Sequence, residues 1–71
     1  MMTIRKGMNL DRVLTTIDNN KWFLNETYSS KDRDGEPIIV VKYMTTTFRM
    51  LCVVLKNDAV VDKFRVSAFY G

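Results

Sequence analysis

The residues with the most potential for chemistry are acidic, and they crowd into one short segment. Asp32, Asp34 and Glu36 alternate along it. Residues 30–35, Ser-Lys-Asp-Arg-Asp-Gly, resemble the start of a calcium loop, in which alternate oxygen ligands precede a sharp glycine turn. The likeness ends early, because Val41 stands where that loop requires a bidentate glutamate and the flanking segments are typical of strands. We therefore expect a solvated hairpin turn here and no metal site.

The sequence also lacks the side chains that other catalytic mechanisms require. The chain has no histidine, which excludes Ser-His-Asp and Cys-His nucleophiles and histidine-ligated metals. A paired-carboxylate mechanism needs two acids facing each other across a cleft, whereas the acids here crowd onto one turn. The single cysteine, Cys52, lies inside an apolar run, which favours a buried thiol over a reactive one. The sequence therefore predicts no enzyme activity and no cofactor.

The lysine and arginine side chains could instead take part in binding. The 71 residues carry 11 Lys and Arg against eight Asp and Glu, a net charge of +3, which is mild for a dedicated nucleic-acid binder. Lys42, Lys63 and Arg65 are predicted to share a sheet face with Phe48, where bases could stack while cations neutralise phosphates. The aliphatic neighbours on that face suit protein contact better. A protein partner is thus the preferred prediction, and nucleic acid is the alternative.

The elements that must position these residues are two apolar runs, Ile38–Val41 and Met50–Leu55. An uninterrupted run rich in β-branched residues is typical of a strand that is buried on both faces. A domain of this length buries only about 60% of the surface that its unfolded chain exposes. We therefore expect something outside this fold to cover the second face of these strands.

The hydrophobic periodicity predicts an α+β fold in one domain. Leu10, Val13, Leu14 and Ile17 form one stripe of a helix over residues 10–19, with Asn9 as its cap. The period then changes to two, which predicts a four-stranded antiparallel meander with a possible short edge strand over residues 2–6. The predicted strands cover residues 22–32, 36–44, 48–56 and 59–70, joined by turns at Asp34-Gly35, Thr45–Thr47 and Asn57-Asp58.

Turns of two, three and two residues fix which side chains share a face. They place Tyr28 opposite Val41, Val41 opposite Leu51, and Leu51 opposite Phe64. The face predicted to pack on the helix then holds Trp22, Leu24, Tyr28, Ile39, Val41, Tyr43, Leu51, Val53, Leu55, Val60, Phe64, Val66 and Ala68. The other face is predicted to be an uncovered apolar surface with a basic rim that binds the partner, through Ile38, Val40, Lys42, Met44, Phe48, Met50, Cys52, Val54, Val61, Lys63 and Arg65.

A helix followed by a four-stranded antiparallel meander is similar in outline to the cystatin-like arrangement. The chain lacks the Gln-x-Val-x-Gly inhibitor loop of cystatins, so the likeness implies no inhibitory residues. The sequence predicts a small binding protein, either a homodimer with stacked sheets or a binder of a heterologous protein, such as a phage or bacterial accessory protein that inhibits a host factor. Residues 1–11 contain no apolar core after Arg5 and Lys6, so we expect no secretory signal or membrane span, and a cytoplasmic location.

Overall fold

The computed structural model describes residues 3–66. Helix α1 spans Leu10–Asn19, and four strands follow it: β1 Phe23–Lys31, β2 Pro37–Met44, β3 Met50–Lys56 and β4 Ala59–Val66. The strands form one antiparallel sheet in the order β1-β2-β3-β4. The predicted α+β fold with one helix and a meander is therefore confirmed, while the predicted extension of β4 to Tyr70 lies outside the described residues.

Side-chain caps at its first turn fix where α1 begins. The Asn9 side chain accepts a hydrogen bond from the Arg12 amide at 2.8 Å, as predicted. Asp58, in the turn between β3 and β4, accepts another from the first helical amide at 3.1 Å and ties the helix to the sheet. The chain leaves the helix through Lys21, which has a left-handed conformation with φ of 60°.

The core lies between α1 and one face of the sheet. It contains the buried side chains of Ile4, Val13, Ile17, Val41, Tyr43, Val53, Leu55 and Val60. Trp22 joins it by stacking on Tyr43, with ring centroids 5.3 Å apart. Ile4 was not anticipated: residues 3–6 form no strand, but Gly7 and Met8 exchange two backbone hydrogen bonds with Val60 and draw this segment against β4.

The register between β1 and β2 differs from the prediction by one residue. Tyr28 lies opposite Val40, and Thr27 takes the place opposite Val41. The connection is a five-residue loop, because the Asp32 side chain accepts the amides of Asp34 and Glu36 and closes a wider turn. This shift carries Tyr28 to the face away from the helix. A β-bulge at residue 25 then restores the predicted helix-side position of residue 24.

The register between β2 and β3 differs by two residues, which leaves the faces unchanged. Val41 lies opposite Val53 instead of Leu51. The connection runs from Thr45 to Arg49, whose backbone groups are joined by a 2.9 Å hydrogen bond. Phe48 was predicted in β3 but lies in this loop.

The register between β3 and β4 begins as predicted and is then changed by a bulge. Both residues of the Asn57-Asp58 turn have positive φ, 53° and 58°, as a two-residue hairpin requires. Val61 is then an extra residue with no partner in β3, so Phe64 lies opposite Cys52. Because one added residue reverses the side-chain alternation, the predicted faces of four residues are wrong: Lys63 and Arg65 lie on the helix side, whereas Phe64 and Val66 lie on the opposite side.

Candidate functional site

The sheet face opposite α1, called the outer face below, is the candidate binding surface. Its members follow from the strand register and the alternation of side chains. They are Phe23, Glu26, Tyr28 and Ser30 of β1, Ile38, Val40, Lys42 and Met44 of β2, Met50, Cys52, Val54 and Lys56 of β3, and Asp62, Phe64 and Val66 of β4.

The centre of the outer face is covered by its own neighbours. Val40 is only 6% exposed and Cys52 only 3%, so the prediction that both are uncovered is wrong. Each has a bulky aromatic residue directly opposite on the adjacent strand, Tyr28 beside Val40 and Phe64 beside Cys52. Such cross-strand neighbours lie within side-chain contact. The remaining predicted aliphatic members are half-buried: Ile38, Met44, Met50 and Val54.

Three aromatic side chains raise the apolar content of the outer face above the prediction. Phe23 is 72% exposed, Phe64 47% and Tyr28 38%. Sequence reasoning missed all three. The wide β1–β2 turn and the bulge at Val61 decide on which face Tyr28 and Phe64 lie, whereas the alternation of Phe23 with the helix-side Trp22 and Leu24 was a sufficient signal for Phe23. Val61 itself was predicted as a partner-binding residue, and as the bulged residue it is 44% exposed.

Charge on the outer face is nearly balanced. Lys42 Nζ lies 3.9 Å from Glu26 Oε2 and 5.7 Å from the centre of the Tyr28 ring. Lys56 is paired with Asp32 of the β1–β2 turn at 2.8 Å, and the second acid of the outer face, Asp62, lies opposite Val54. The predicted basic rim is missing, since the two cations of β4 lie on the helix side.

Cys52 is a packing residue in this geometry. Burial raises the pKa of its thiol, and the positive charge of Lys42 acts in the opposite direction. A thiol with a raised pKa holds little thiolate at neutral pH, and the thiolate is the reactive form. The arrangement therefore supplies an apolar contact and no activated nucleophile.

In the acidic turn, the Asp32 carboxylate is already engaged in hydrogen bonds within the fold. Asp32 accepts two backbone amides through Oδ1 and the Lys56 ammonium through Oδ2 at 2.8 Å. The hydrogen bond from Lys56, and after it the one from the Glu36 amide, holds the pKa of Asp32 below its ordinary value. Residues 3–66 contain no group of three or more His, Cys, Asp or Glu side chains that could hold a metal ion.

Phe48 is an outlier in the loop between β2 and β3. It is 80% exposed and has φ of 62°, a left-handed conformation that is uncommon for a bulky residue. Its backbone is held by a 3.0 Å hydrogen bond from its amide to the Thr45 carbonyl. It is not a member of the outer face.

Comparisons of the chain with protein families, with curated proteins and with solved structures found no match. Among residues 3–66, no helix has the length and apolar character needed to cross a membrane.

Proposed function

We propose that this protein acts by binding protein, without catalysis, and that its outer face is the interface of a homodimer. The observation that supports this best is the combination of three exposed aromatic rings with a half-buried aliphatic centre on one face of the sheet. Aromatic residues and methionine are enriched at protein interfaces, and charged residues are depleted at their centres. The outer face has the first property, and its one central cation, Lys42, is paired with Glu26 on the adjacent strand at 3.9 Å.

The size of the outer face is consistent with a modest interface. Strands about 4.8 Å apart, each with about seven residues at about 3.4 Å, give a four-stranded face of about 450 Å² in projection. About two thirds of its members are apolar, so the apolar part covers about 300 Å², the lower end of the range of about 300–600 Å² for the largest patch on a typical monomer. Two stacked faces of about 450 Å² each bury only about 900 Å², which is below the standard range of about 1,200–2,000 Å². We therefore expect a dimer that dissociates at micromolar concentration.

A second copy of the chain is favoured over a heterologous partner by the charge balance of the outer face. Two identical faces repel each other when they carry net charge of one sign, and like charges in contact are costly. Here the two lysines are offset by two acids, so stacking two copies brings no net charge together. Binding to a heterologous target would not require the outer face to be neutral.

A lysine at Met50 tests this proposal. Met50 is half-buried at the start of β3 on the outer face, so Met50→Lys should place an ammonium group inside the interface and yield monomers in size-exclusion chromatography. Thr15→Lys, on an exposed helical position, is the matched control and should leave the dimer unchanged. Val40→Lys is a poor probe, because Val40 is buried within the protomer. Equal elution of the two variants with the native chain would refute the proposal.

We further propose a cytoplasmic location. Cys52 is a free, buried thiol, and free thiols persist in reducing compartments. Nucleic-acid binding through the outer face, the alternative function, loses support from the register, because Lys63 and Arg65 lie on the other side of the sheet.

A further inference from the structure

The bulge at Val61 gathers positive charge along the helix side of β4. Lys63 Nζ donates to the Ile4 carbonyl at 3.0 Å, which brings the N-terminal segment with Arg5 and Lys6 alongside the strand. Arg65 follows two residues after Lys63 and therefore points to the same side. We call Arg5, Lys6, Arg49, Lys63 and Arg65 the cationic edge. Within residues 3–66, none of these five has a carboxylate oxygen within 4.0 Å.

The cationic edge ends at a pocket that has an aromatic wall. The pocket measures about 310 Å³ and is lined by Trp22, Thr45, Thr46, Thr47, Arg49, Leu51 and Arg65. Its volume lies at the lower bound of ordinary ligand sites. Tyr43, itself 1% exposed, holds the indole of Trp22 by stacking at an interplanar angle of 16°. The pocket thus combines a rigid apolar surface, hydroxyl groups and two guanidinium groups.

The exposed Phe48 belongs to the same loop as three threonines and one arginine of this pocket. Residues held in sparsely populated backbone conformations cluster at ligand clamps and binding sites. A loop held by hydrogen bonds between Thr45, Thr47 and Arg49 presents the phenyl ring to solvent. The loop that lines the pocket therefore carries a second exposed aromatic ring, although Phe48 itself is not one of the lining residues.

We propose that the cationic edge and this pocket bind single-stranded nucleic acid. Lys63, Arg65 and Arg49 contact successive phosphates, and one base enters the pocket against Trp22. Binding sites for single strands combine these two parts, a groove of cations that follows the backbone and aromatic rings on which bases stack. A duplex keeps its bases stacked and cannot place one in the pocket. The site lies on the helix side, so it is independent of the outer face and remains free in the proposed dimer.

Fluorescence provides a direct test, because Trp22 is the single tryptophan of the chain. A short oligothymidylate should quench Trp22 emission on binding. Three phosphate contacts give a slope of about −2.1 for log K against log salt, so affinity should fall about 18-fold between about 50 and 200 mM salt. Heparin, a polyanion without bases, and a duplex oligonucleotide should leave the emission unchanged. Absence of oligothymidylate binding at the lower salt concentration, or equal quenching by heparin, would overturn the proposal.

Charge-removing variants locate the site. Arg49→Gln combined with Arg65→Gln should weaken binding and reduce the salt effect to about 3-fold, since two of the three phosphate contacts are lost. Lys31→Gln combined with Arg33→Gln removes the same charge at the opposite end of the sheet and should retain the quenching and the salt slope. If the first pair does not fold, as judged by circular dichroism, Arg49→Gln alone in the exposed loop replaces it, with an expected salt effect of about 7-fold. An equal loss of affinity in the Lys31 and Arg33 control would contradict the assigned site.

Discussion

Truncation of Phe64 offers the sharpest quantitative prediction for the outer face. A phenylalanine side chain carries about 200 Å² of surface, and 47% of Phe64 is exposed in the protomer, which leaves about 95 Å² to be buried on association. At about 25 cal/mol per Å², this burial contributes at most about 2.4 kcal/mol per chain. A symmetric dimer contains the contact twice, so Phe64→Ala should cost at most about 4.7 kcal/mol and raise Kd by up to about 3,000-fold.

Sedimentation equilibrium over a series of loading concentrations measures this change directly. Phe48→Ala is the matched control: it removes the same phenyl group from a residue that is 80% exposed but not on the sheet, and it should leave Kd unchanged. Circular dichroism at a concentration below the native Kd separates loss of association from loss of the protomer fold. The reasoning is refuted if Phe64→Ala dimerises as tightly as the native chain, or if the Phe48→Ala control weakens the dimer to the same extent.

Three further predictions concern the protomer. Phe48→Gly should raise the free energy of unfolding in urea by about 0.5–1 kcal/mol. The reason is that glycine accepts a φ of 62° without the steric cost that a phenylalanine meets. A lower urea midpoint would contradict the observed loop conformation. Asp32 has a lowered pKa in the folded chain, so its bond to Lys56 stabilises the fold above about pH 4, and that stability is lost as the pH falls through the folded pKa. Asp32→Asn should thus show a smaller loss of stability than the native chain between about pH 5 and pH 2, whereas identical acid profiles would exclude this role. Cys52 should react with a thiol reagent at least about tenfold more slowly in the native chain than in guanidinium, since it is buried and its pKa is raised; equal rates would show that the thiol is accessible.

The helix and the order of strands could be read from local patterns. The stripe that begins at Leu10 and the cap at Asn9 predicted a helix with the observed limits, Leu10–Asn19. The Asn57-Asp58 turn was predicted correctly because asparagine and aspartate tolerate positive φ. These features depend on residues that are close in sequence, so the physical cause is visible in the sequence itself.

The assignment of faces failed where long-range pairing decides the geometry. Asp34-Gly35 has the composition of a two-residue turn, but the Asp32 carboxylate captures two amides and opens the loop to five residues. The sequence around Val61 contains no glycine or proline that would indicate a bulge. Each event shifts the strand pairing by one residue, and each moves an aromatic side chain, Tyr28 or Phe64, from the helix side to the outer face.

Part of the predicted site is correct, because the alternation of side chains decides what a register error changes. β2 and β3 are apolar on both faces, so a two-residue error between them left Ile38, Met50 and Val54 on the outer face. β4 alternates apolar and basic residues after its bulge, so a one-residue error exchanged its two sides. The outer face consequently gained Phe64, and the helix side gained the two cations of the cationic edge.

Sedimentation velocity of the unmodified chain tests the proposed homodimer most directly. From low micromolar concentration to about 100 µM, the mass should rise from that of the 8.3 kDa protomer towards twice that value. The midpoint should change little with salt, because the outer face carries balanced charge and associates mainly by apolar burial. A sample that stays at the protomer mass throughout this range would contradict the assignment of the outer face as a self-association surface.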